Sequence, residues 1–178
     1  MFVALALAAS VAPASVATDQ QIVDMALPEQ QFRMMLARVV FSTQTMAMVA
    51  YNQGITGSCA AVRPAFERTI AARLPQWRAN LVRAYRANVP ASELGAAVAR
   101  GPAGQLSLVQ YMAKVGNDMQ AASLPLLQQA AADVLTEVVG AASKAPPSQI
   151  EGEKRMQELK AAQADGSLYC GLQPVRPN

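Results

Sequence analysis

Six arginines, Arg63, Arg68, Arg73, Arg78, Arg83 and Arg86, face a single acid, Glu67, within one stretch of the chain. A guanidinium is a permanent cation whose donors form a planar fork, suited to carboxylates and phosphates. Spaced mostly by five, these arginines turn by about 140° per step on an ideal helix. They wind around it and do not form the one-sided basic stripe of a nucleic-acid reader, so no nucleic-acid partner is expected. The plainer reading is a solvated set whose stems cover apolar surface. The competing one is contact with anionic lipid or an acidic envelope component, for which Arg78, Arg83 and Arg86 are the candidates. Arg78 differs from the others because it projects into an apolar arc from Trp77 to Tyr85. It either lies beyond the core at the start of its helix or pairs with a buried carboxylate.

Asp133 and Glu137 share a helix face at i, i+4. Two acids flanking a bond perform glycoside hydrolysis without histidine, but this face points away from Val134, Leu135 and Val138, which reads as solvated surface. The chain has no histidine. Ser-His-Asp and Cys-His nucleophilic arrangements and histidine-containing zinc sites are thereby excluded within the chain. Its nine methionines raise thioether copper ligation. Helix-core filling is the default use of methionine, with Met35 and Met46 among core positions and Met34 and Met48 outside. No cofactor, no metal and no catalytic residue is expected.

Two cysteines remain, Cys59 and Cys170. They are not spaced as C-x-x-C, and no histidine is present to activate a thiolate. A disulfide between them would close a loop of about 110 residues, worth on the order of 4–5 kcal/mol in the chain-entropy model. That reading goes with export. Residues 1–17, MFVALALAASVAPASVA, contain an apolar run from Phe2 to Ala9 and end on small residues. They read as a signal peptide cut between Ala17 and Thr18, with a cut after Ala14 as second choice. The run lacks the preceding Lys or Arg of most leaders. It is too short, and too broken by Pro13, to span a membrane, so no transmembrane helix is expected in the mature chain.

The elements that must position these residues are helical. Hydrophobic residues make up 52% of the 178, aromatics only 5% and charged residues 15%, so the core is filled by the helix formers Ala, Leu and Met together with Val. A net charge of +3 is too mild to dictate an acidic partner. The expectation is an all-α, single-domain bundle of about six to seven helices over residues 18–143. A Pro-containing linker, a C-terminal helix and a disulfide-tethered tail follow over 144–178.

Helices are expected at Asp19 to Leu27 and from Pro28 to about Gln53, followed by a loop at Gly54–Ser58. A third helix starts near Pro64 and is broken at Pro75, after which Trp77, Leu81, Val82, Tyr85 and Val89 line one side. A short helix, Glu93 to Arg100, is capped by Ser92. Gly101 then ends it in the left-handed conformation and Pro102 opens the next helix. Gly104 is followed by Gln105-Leu106 and not by the Lys and Ser/Thr of a phosphate loop, so this is a corner. The long helix kinks near Ser123 before Pro125 and continues with Leu124, Leu127, Ala131 and Val134 inward. Prolines in KAPPSQ end the bundle. A last helix, about Ile150 to Ala164, has few apolar anchors and docks loosely, with Glu151 and Arg155 at a favourable solvent-facing spacing.

From Arg83 to about Leu127 the chain resembles a family of small exported bacterial proteins, domain of unknown function 2059. Tyr85, Glu93-Leu94 and Pro102-Ala103-Gly104 stand at its motif positions; Val98 and Ala99 replace two aromatics, and Gly101 replaces a serine. The resemblance implies an all-α fold and an envelope location, and supplies no catalytic residues. The functional expectation is a periplasmic or secreted protein of a Gram-negative envelope. It would be non-enzymatic and would bind an envelope protein or a lipid or hydrophobic ligand. The alternative is a carboxylate-based hydrolase acting on a glycan.

Overall fold

Thr18 starts the first helix, α1 (Asp19–Ala26), by a reciprocal cap. Its hydroxyl accepts from the Gln21 N–H, and its own N–H donates to the Gln21 side chain at 2.8 Å. The computed structural model describes residues 16–141 and 147–172. The apolar run of the expected leader and its second-choice cut lie outside them, as does the first half of the KAPPSQ linker. At the first-choice cut, Ala17 is buried and Thr18 is the capping residue. Leu27 alone, at φ 48°, turns α1 into α2 (Pro28–Phe41). Gln31 closes that corner by donating its amide to the Ala26 carbonyl at 2.9 Å.

α2 stops well before Gln53. Ser42 and Thr43 interrupt it, and the Thr43 hydroxyl accepts from the Met46 N–H to begin α3 (Gln44–Asn88). The expected loop at Gly54–Ser58 is also corrected: only Gly54 leaves helical geometry (φ 74°, ψ 170°), so Cys59 sits on a helix. Pro64 and Pro75, expected to start and to break helices, both lie inside α3, and Pro125 lies inside α5 (Met112–Ala141). One arrangement accounts for all three. Each proline is exposed, and so is the residue four before it, Ala60, Ala71 or Ala121. The carbonyl that loses its N–H partner is therefore on the solvent side, where water satisfies it.

α4 (Ala91–Val98) has Pro90, not Ser92, at its cap position. Gly101 is left-handed as expected, at φ 58°. Gly104 permits the corner to close, because a Cβ there would lie 1.9 Å from the Ala97 carbonyl oxygen. The chain then departs from expectation, with residues Gly101–Tyr111 forming a 3₁₀ helix before α-geometry resumes at Met112. Leu124, expected inward, is 49% exposed, and Met35 is exposed as well.

α3 and α5 form the principal seam. Partners descend on α5 as they rise on α3, from Arg68–Glu137 through Arg73–Asp133 to Asn80–Ser123 and Asn88–Asp118, so the helices run antiparallel. Inside the seam, the Asn80 amide donates to the Ala122 carbonyl at 3.0 Å and to Ser123 Oγ at 3.1 Å. These are buried polar groups satisfied across the interface. The expected Trp77–Val89 arc is buried throughout, and Trp77 stacks on Phe32 of α2 at 4.8 Å.

α6 (Gln149–Asp165) buries only Gly152 and Ala162, while Ile150 is 85% exposed. Its attachment is polar and covalent. Cys59 and Cys170 are joined in a disulfide, Arg63 donates to the Cys170 carbonyl, and Gly152 lets the helix close onto the Tyr51 hydroxyl. Arg155 does not face solvent: while paired with Glu151, it donates to the Tyr51 and Asn52 carbonyls. Those are the last carbonyls before the Gly54 break, where the helix has lost its own donors.

Candidate functional site

The winding arginines meet neighbours on several elements in turn. Arg68 and Arg73 reach Glu137 and Asp133 on α5, the second pair at 2.7 Å. Arg68, Arg73 and this pair of acids are therefore ion-paired across the seam while remaining partly exposed. Asp133 is held below the usual carboxylate range by its hydrogen bond from Arg73. Across α2 and α3, Arg33 grips Glu67 with two parallel donors, at 2.8 and 2.6 Å, and holds that carboxyl low as well. Glu67, the one acid inside the arginine stretch, thus answers to an arginine outside it.

The three arginines singled out as anion contacts behave differently. Arg78, Arg83 and Arg86 line one open groove between α1 and α3, of about 710 Å³, over a floor of Val23, Ala79 and Val82. Around α3, Arg78 and Arg83 stand about 140° apart with Arg86 between them, so they form no one-sided stripe here either. Arg86 is engaged by Asp19 at 2.6 Å and by the Ala17 carbonyl. Arg78 lies 3.8 Å from the half-exposed Glu29, outside hydrogen-bonding distance, and its buried Nε has no acceptor among the described residues. It therefore pairs with no buried carboxylate. Arg83 is exposed and makes no ion pair or hydrogen bond among the described residues.

Arg83 thus carries unused donors, and Arg78 only a loose ion pair to Glu29, at the edge of an apolar trough, a combination suited to an oxyanion attached to something greasy. A second hollow continues from the same Val23 and Arg78 towards Leu27 and Pro28, with Asp24 and Glu29 on its walls. Comparison with protein-family models, with curated proteins and with solved structures finds no match to this chain. The chemistry of the groove must be read from its own residues.

Asp19, Gln20 and Val23 belong to this site and were not singled out from the sequence. Their only signal was membership of a short helix whose packing partner the sequence does not name. Among the described residues, no helix is long and apolar enough to cross a membrane, and no group of three acids or cysteines stands at metal-binding distances.

Proposed function

We propose that the chain is an exported, non-enzymatic helical module of the periplasm or secreted space. It binds an envelope partner or hydrophobic ligand in the groove between α1 and α3. The observation that carries this reading is the contrast within one helix: Arg68 and Arg73 are satisfied by acids, while over Val23, Ala79 and Val82 Arg83 has no acid partner among the described residues and Arg78 only a loose one in Glu29. Support for export comes from the leader-like residues 1–17 and from a disulfide, which persists in oxidising compartments. A two-carboxylate hydrolase needs one acid kept protonated near neutral pH. Asp133 and Glu67 are pushed the opposite way by their arginines.

A photoreactive amino acid at Ala79, in the groove floor, tests the reading in intact cells. It should capture a discrete envelope component on irradiation, whereas the same probe at exposed Gln128 on α5 should not. Equal capture from both positions, or none from Ala79, contradicts a binding groove there.

A further inference from the structure

Resting on that reading, we infer that the α1–α3 groove takes a single-chain amphiphile with an oxyanion head, a carboxylate or a phosphate monoester. The head lies against Arg83 and Arg78, and the chain lies over Val23, Ala79 and Val82. Four observations select this class.

Unengaged donors define the head. Arg83 presents a whole guanidinium without an acceptor among the described residues, and Arg78 lines the same groove with its Nη2 3.8 Å from Glu29, outside hydrogen-bonding distance. A guanidinium fork matches two oxygens of one carboxylate or phosphate, and a neutral head would leave that fork unused. The aliphatic lining of the trough defines the chain. The groove volume lies within the range of about 300–1,000 Å³ that small-molecule sites occupy, and its floor is aliphatic. Neighbouring charge defines the direction. Asp24 and Glu29 wall the adjoining hollow together with Arg33 and Arg78, so its charges balance, whereas the groove sets three arginines against Asp19 alone and draws an anionic head to the Arg83 end, while the exposed side chain of Leu27 offers the hollow's apolar contact. Asp19, the one acid within the groove itself, is already occupied by Arg86 and leaves Arg83 free to receive the ligand.

Calorimetric titration of the full mature protein, with every amphiphile below its micellar concentration, tests the assignment. Dodecanoate and dodecyl phosphate should both bind, and 1-dodecanol and inorganic phosphate should each bind at least tenfold more weakly. Arg83→Ala should weaken dodecanoate at least tenfold, and Arg83→Lys should recover part of the loss. Ala79→Asp, which places a charge in the floor, should abolish binding. Arg83 has no partner to lose among the described residues, so its variants should keep the far-ultraviolet dichroism of the parent.

Equal affinity for 1-dodecanol and dodecanoate overturns the head-group assignment, yet leaves the groove a binding site. Retention of phosphatidylglycerol vesicles without binding of monomeric dodecanoate overturns the single-chain assignment in favour of a bilayer surface. Failure of the Ala79 probe to capture anything in cells is the separate result that would remove the binding reading itself.

Discussion

Along α3, the face turned to α5 and the face turned to α1 use the same residue type for different ends. Towards α5, Arg68 and Arg73 find Glu137 and Asp133, two acids one helical turn apart on the opposing helix. Towards α1, a helix of eight residues supplies one acid that engages an arginine, Asp19, and it takes Arg86. Among the described residues, Arg83 is left without an acid and Arg78 with only the 3.8 Å approach of Glu29, over an aliphatic floor. The difference shows that an arginine's role here is set by the acid content of the helix it happens to face. Local sequence around the arginine does not set it.

The largest expected effect lies at the paired end of α3. Replacing Cys59 and Cys170 together by Ser opens a loop spanning 111 positions and should lower unfolding free energy by about 4–5 kcal/mol in the chain-entropy model. Denaturant titration measures it. Affinity in the distant groove should stay unchanged; a parallel loss would show that the two regions are not separable. Non-reducing and reducing gels of the parent should differ in migration, and the variant should show no difference.

Next in size is the seam itself. Asn80→Ala leaves the buried Ser123 hydroxyl and the Ala122 carbonyl without their donor, which should cost about 1–3 kcal/mol. A change of a few tenths would mean that the seam tolerates unpaired polar groups.

How much of this contrast was legible beforehand depends on which interactions are local. Trp77, Leu81, Val82, Tyr85 and Val89 announced the buried arc because helical periodicity is a local property. Gly101 announced the corner because only a few residues accept positive φ. Pro64 and Pro75 misled, since a proline breaks a helix only where the orphaned carbonyl is denied water, and exposure is a tertiary property; Pro125 lies inside its helix as expected. Ser42-Thr43 was overlooked because the apolar spacing of Val40 and Met46 runs on across the break, although Thr43 is a good capping type. Arg78, Arg83 and Arg86 were legible as candidates. That they share a groove with Val23 was not, because nothing in their own segment specifies α1 as the neighbour. Arg155 was read as solvent-facing for the same reason: its acceptors, Tyr51 and Asn52, lie about a hundred residues away along the chain.

A smaller effect tests the paired face directly. A double-mutant cycle on Arg73 and Asp133, both about a third exposed, should give a coupling of about 0.2–1 kcal/mol after solvent screening. The Asp133 carboxyl is lowered in the folded protein by its bond from Arg73, so the unfolded chain binds the proton more readily. The coupling should therefore be complete above about pH 4–5, where the unfolded carboxyl is ionised, and should fade as pH falls through the lower folded value. Coupling that grows on acidification would contradict that sign.

The smallest stability effect should come from the open face. Arg83→Ala removes no ion pair or hydrogen bond among the described residues and should unfold within about 0.5 kcal/mol of the parent. A clear destabilisation would make Arg83 one more structural arginine and erase the contrast.

The most direct measurement sets the two faces side by side: dodecanoate titrated into the parent, Arg83→Ala and Arg73→Ala under identical buffer conditions. The account predicts at least a tenfold weakening for Arg83→Ala and affinity within about twofold of the parent for Arg73→Ala, a free-energy change well below 1 kcal/mol. Equal losses in both variants, or no loss at Arg83, would contradict it.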